Sequence, residues 1–165
     1  RGQPGVYSGD GIADGGVDTG NNAWAALAMV HFSVFARRPC YRTAARNVLR
    51  ALVAGASCHD RLKGVMGRLP PHAAFYRSTE HNVDVFALAR MLGETAVEES
   101  ARSFVQAMYG YSAGHNQSYA MGTEGGAPCN ATGLPDSVAA DAQFWSVLSD
   151  ADPDPERQAA ALLRA

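Results

Sequence analysis

The 165-residue chain lacks the marks of most specialised protein classes. It has three cysteines, Cys40, Cys58 and Cys129, and no CxxC pair, which excludes a zinc ribbon or a thioredoxin-type motif. An odd count also excludes a module stapled wholly by disulfides. Cys58 and Cys129 fall in loop-like segments, where they either pair or remain thiols beside Cys40. Charge is sparse and balanced: 18% of residues are charged and the net charge is -2. No Lys/Arg run points to nucleic acid, and no acidic tail points to disorder. The longest apolar stretch, residues 23–36, is broken by His31 and Ser33 and is too short to span a membrane. No HExxH or other zinc spacing occurs, and no cofactor motif, so neither a metal nor a cofactor is expected. The first residue is Arg and no signal-peptide pattern opens the chain, so it reads as a piece of a longer one.

What is present is core-forming material. Hydrophobic residues make up 47% of the chain, enough for one domain over residues 1–165. The first twenty residues hold seven glycines and read as a loop. Trp24, Leu27, Ala28, His31 and Phe35 then recur at helical spacing, with Thr19 or Asn21 as cap. Pro39 suits the first turn of a second helix, residues 40–54, which Gly55 should stop. Residues 56–78 read as a loop with a short hairpin around residues 64–67. Further helices are expected over 79–93, 95–109 and 137–149, and from the Asp152-Pro153-Asp154-Pro155 break to the end. The loop over 110–135 carries two N-glycosylation sequons, at Asn116 and Asn130, a lean towards a secretory route.

The order is long loop, helix, short turn, helix, three times over. Leu27, Leu88 and Leu148 recur at about sixty residues, preceded by Trp24, Phe86 and Trp145, as in tandem helical hairpins. The fold class is therefore all-α. In such a stack the starts of the three first helices gather on one rim. That rim carries Asp18, Asn22, Glu80, His81, Asn82, Asp84 and Asp141.

Glu80 and Asp84 share a helix face with Ala87, Leu88 and Met91, so the pair should face a cleft. Burial and mutual repulsion then raise at least one pKa, which is how an acid and a base coexist at neutral pH. The bland reading of Glu80 is an acid favouring the helix dipole in a first turn. Asp84, a turn later, does not fit that reading. Asp18 and Asp141 are each ordinary helix-start residues alone. Together on a rim they supply carboxylates from neighbouring hairpins, and glycosidic bond cleavage needs two, about 5–10 Å apart. Glu80, Asp84, Asp18 and Asp141 are thus the candidate catalytic groups. Trp24, Tyr76 and Trp145 would stack on sugar rings, with Trp24 and Trp145 equally suited to anchor a core. His81, Asn82 and Asn22 would position the substrate. Arg77 would hold an anionic group or neutralise Glu80.

Two stretches also carry a resemblance. DTGNNAWAALAM and STEHNVDVFALARMLG resemble the six-hairpin glycosidase-like proteins, which fold as an (α/α)6 toroid. The matching residues are Asp18, Gly20, Asn22, Ala23 and Trp24, and then Ser78, Glu80, His81, Asn82 and Asp84. The resemblance covers roughly residues 14–150. It implies about half of such a toroid, truncated, with an oligosaccharide or polysaccharide substrate and a barrel completed by further chain segments or another subunit. Hydrolases, lyases and epimerases share this fold. The alternatives are a non-catalytic glycan-binding or structural module and, more remotely, an apolar substrate of the terpenoid kind.

Overall fold

The computed structural model describes residues 16–69, 75–110, 117–125, 127–130 and 138–165. Among them lie three helical hairpins: α1 (Thr19–Phe35) with α2 (Pro39–Ala56), α3 (Thr79–Leu92) with α4 (Thr95–Met108), and α5 (Ala140–Ser149) with α6 (Pro155–Arg164). The first helices form an inner row in which α1 and α5 both pack on α3. The second helices lie behind them. Sequence explains the layering. α2 buries one stripe, Ala45, Leu49, Leu52 and Ala56, and α4 buries Ala101, Phe104, Val105 and Met108. α3 is apolar on most sides and is buried along nearly its whole length, as a helix between two layers must be.

Local chemistry sets the helix ends. Pro39 and Pro155 occupy first turns, where a missing N–H costs nothing. The Asp154 side chain caps α6, and Gly93 closes α3 in the left-handed conformation that favours glycine. α1 starts at Thr19, so Thr19 and Asn21 lie within the helix and neither is its cap; the N-cap is Asp18, whose side chain makes no cap bond. That carboxylate accepts instead from Arg68 at 3.0 Å. α2 runs one residue past Gly55, to Ala56. The expected start of the fifth helix at Ser137 lies outside the described residues; the described helix begins at Ala140.

Four short strands, which the sequence reading did not foresee, hold the rim. β1 (Val17–Asp18) pairs antiparallel with β2 (Arg68–Leu69), and β3 (Tyr76–Ser78) with β4 (Gly122–Glu124). In place of a hairpin around 64–67, Val65 bridges back to Ser57. β1 runs straight into α1 and β3 straight into α3. Both junctions are locked alike. Thr19 Oγ1 donates to the Met66 carbonyl and Thr79 Oγ1 to the Ala120 carbonyl, each at 2.6 Å.

The strongest repeat is an amide at the fourth residue of every inner helix. Asn22 and Asn82 each donate to the carbonyl four residues back at 2.8 Å, and Gln143 does so at 3.2 Å. Asn82 also grips the backbone of Val65, accepting from its N–H at 2.8 Å and donating to its carbonyl at 3.1 Å. Gln143 grips Tyr119 in the same way, at 2.8 and 2.7 Å. Each clamp satisfies buried backbone groups that would otherwise be costly. Gly64, at φ +75, is needed beneath the first clamp, because a Cβ there would press on Asn82 and Phe104. A disulfide between Cys58 and Cys129 ties the end of α2 to the later rim loop, and Cys40 is an exposed thiol.

Candidate functional site

The amide clamps put the three inner helices in register, and the register builds a cleft. Two positions beyond each amide stand Trp24, Asp84 and Trp145; three further on stand Leu27, Ala87 and Leu148. These six residues, with Val83 and Ser149, line an open cavity of about 280 Å³. Two positions before each amide stand Gly20, Glu80 and Asp141. The register differs from the leucine repeat in the sequence. Leu88 and Phe86 are fully buried in the core, and the α3 residues equivalent to Leu27 and Trp24 are Ala87 and Asp84.

Asp84 is 4% exposed, and its Oδ2 is buried with no hydrogen-bond partner among the described residues. Burial and the neighbouring Glu80 carboxylate push its pKa up to about 8, against a hydrogen bond from Trp24 that favours the ionised form. Glu80 is also raised, by burial first and by Asp141 second. Asp84 thus feels Glu80, and Glu80 feels Asp141; of the three, Asp84 is the one that lines the cavity. Trp24 and Trp145 meet above it with ring centroids 5.2 Å apart and planes tilted by 56°. Trp24 is 49% exposed, so it is not the buried anchor that its helix alone would allow.

A second set lies on the other side of the α3 start. Asp18 pairs with Arg68, and burial together with Asp18 raises the pKa of Tyr76. The His81 ring packs edge-on to Tyr76, with centroids 6.3 Å apart, and burial lowers its pKa. His81 Nδ1 is buried with no hydrogen-bond partner among the described residues. Gly20 is required here, since a Cβ would run into the His81 ring. Tyr76, Ser78, His81 and Glu124 line a smaller cavity of about 190 Å³.

The candidate residues thus divide. Glu80, Asp84, Asp141, Trp24 and Trp145 come together. Asp18, Tyr76 and His81 form the adjoining set, while Asn22 bonds the Asp18 carbonyl. Asn82 lines neither cavity, and Arg77 lines the smaller one with its guanidinium already bonded elsewhere. Asn82 is fully buried in its clamp. Arg77, 1% exposed, grips both Asp60 oxygens at 2.7 and 2.8 Å and the Lys63 carbonyl at 2.8 Å, with Phe104 beneath its guanidinium. It lowers the pKa of Asp60 and leaves Glu80 alone. Tyr119, another aromatic near the rim in sequence, is buried against Asp152. The sequence reading missed Arg68, which reaches Asp18 from β2 and carried no signal, and did not see Ala87 and Leu148 as cleft walls, for which the signal was their fixed offset from Leu27 along the equivalent helices.

Tandem helical hairpins with an inner and an outer row define an all-α fold of the α/α toroid class. A solved structure that this chain is similar to is a family 76 glycoside hydrolase, a mannosidase from Bacteroides thetaiotaomicron, with a TM-score of 0.65 at 14% sequence identity. The match covers 96% of this chain and 45% of that one, so the chain spans less than half of its structural neighbour's length. No family model matches the chain, and no curated protein matches it. At this identity the likeness concerns the fold alone.

Proposed function

We propose that the cleft acts on a glycoside by general acid–base catalysis, with Asp84 as proton donor. One observation carries this reading: a buried carboxyl, held largely neutral at pH 7, stands beside a second carboxylate beneath two tryptophans. A neutral acid can protonate the departing glycosidic oxygen as its bond to the anomeric carbon breaks. Glu80 is the partner that activates water or attacks that carbon, with Asp141 as the alternative. Trp24 and Trp145 present ring faces to a sugar. The fold shared with a mannosidase supports a carbohydrate substrate.

The remaining candidates take supporting parts. Asp18, through Arg68, and Asn22 hold the α1 start; Asn82 and Arg77 hold the α3 start. Tyr76 and His81 would meet a substrate that extends past Glu80.

The test is turnover and binding on a panel of oligosaccharides, with Asp84→Asn and Glu80→Gln. Each substitution should cut turnover by about 10²–10⁴-fold while leaving binding in place. Unchanged turnover in either variant removes that residue from the chemistry. The cavity's small volume also suits a second reading, a glycan-binding module, which binding without turnover by the unaltered protein would establish.

A further inference from the structure

The inner row has two open ends. α1 and α5 each pack along α3, and each leaves its far flank bare. The bare flank of α1 is apolar: Ala25, Ala28, Phe32 and Phe35 recur at helical spacing, all exposed, on the side away from the buried Ala23, Ala26 and Val30. At the other end Phe144 stands out from α5, and Leu162 and Leu163 from α6. Two apolar flanks on one small domain mark contact surfaces. The flanks also match in charge. Residues 19–56 carry five arginines and no acid, whereas residues 140–164 carry five acids against two arginines. The short turns of like-directed hairpins lie at one level. The turn after α1 holds Arg37 and Arg38, both exposed and in no ion pair among the described residues. The turn after α5 holds Asp150, Asp152 and Asp154. Inside the chain, arginine–acid pairs already join neighbouring hairpins: Arg46 to Glu94 at 2.7 Å, and Arg90 to Asp150 at 3.8 Å.

We propose that a second copy of this chain covers both flanks, with the α1–α2 end of each copy seated on the α5–α6 end of the other. This chain spans less than half of its structural neighbour, so its three hairpins form about half of a toroid. Two copies related by a two-fold axis then close one ring through two equal seams. A flank suited to an unrelated partner need not match the chain's own far flank; these two match in apolarity and in charge. The cleft lined by Trp24, Asp84 and Trp145, open in a single copy, gains its facing wall from the inner row of the second copy. This pairing holds whether or not the cleft cleaves glycosides.

The test is sedimentation equilibrium of the 165-residue protein, which should give twice the 17.4 kDa of one chain. Ala28→Glu and Phe144→Glu, each at an exposed position, should each weaken the dimer by about tenfold or more, with the helical circular dichroism unchanged. Mixed together, the two variants should recover dimers, because one of the two seams is then unaltered. A monomer at every concentration overturns the proposal and leaves the flanks to a further length of chain or to an unrelated protein. A dimer that survives Phe144→Glu overturns it too, since the α1 flanks then meet each other. Assemblies that grow beyond two copies overturn the closed ring.

Discussion

Asp84 is where residue-level physics is most exposed to measurement. Its value of about 8 in the folded protein lies above the ordinary 3.8 of an unfolded chain. The folded state thus holds the proton more tightly than the unfolded one. Stability from this group is complete below the unfolded value and is lost as pH rises through about 8. The denaturation midpoint of the wild-type protein should fall across that window. Asp84→Asn, which cannot ionise, should flatten the fall, and above pH 8 the variant should be the more stable of the two. The clamp gives a second test. Asn82→Ala strands the N–H and carbonyl of Val65 in the core and should cost about 3 kcal/mol in urea unfolding. A loss below about half a kcal/mol would mean that the Val65 loop finds other partners.

At the scale of elements, the helices were legible and the strands were not. Periodicity located all six described helices, because the amphipathic stripe of α2 or α4 is written in consecutive turns. β1 and β2 are two residues each, paired across some fifty positions, and two residues carry no periodic signal. The rim acids were legible as candidates, since Glu80 and Asp84 sit one turn apart. Their split from Asp18 was not, because it depends on Arg68 arriving from β2. Likewise nothing in the string around Arg77 announces Asp60, so an arginine that looked free for substrate proved to be a fastener. Arg77→Lys should not replace it: one ammonium cannot hold both Asp60 oxygens and the Lys63 carbonyl in the same planar geometry. Both Arg77→Lys and Arg77→Ala should lower the thermal midpoint, alanine more, by about 3 kcal/mol at the midpoint. Gly20→Ala should also destabilise, by about 1–3 kcal/mol in the same assay, by driving the His81 ring off Tyr76.

For the whole molecule, the Cys58–Cys129 bond closes a loop that contains β3, α3 and α4. The sequence left it open whether these thiols pair; their loops meet only because α2 and the later rim segment converge in space. Cys58→Ser, or reduction, should cost about 2–4 kcal/mol, with alkylation and mass measurement confirming which thiols were bonded. Apolar surface is also left uncovered on the inner row. Phe35 on α1 and Leu148 on α5 are 87% and 81% exposed. Patches of this kind favour association, so the oligomeric state belongs in any assay of the protein.

The equivalence of Trp24, Asp84 and Trp145 has one more implication. Three matching seats surround a common bowl, and only the middle one holds an acid. Exchanging the occupants of seats 84 and 145 would move the acid by one helix while retaining the same set of side chains. A scaffold that repeats its geometry in this way allows reactivity to be relocated without being rebuilt.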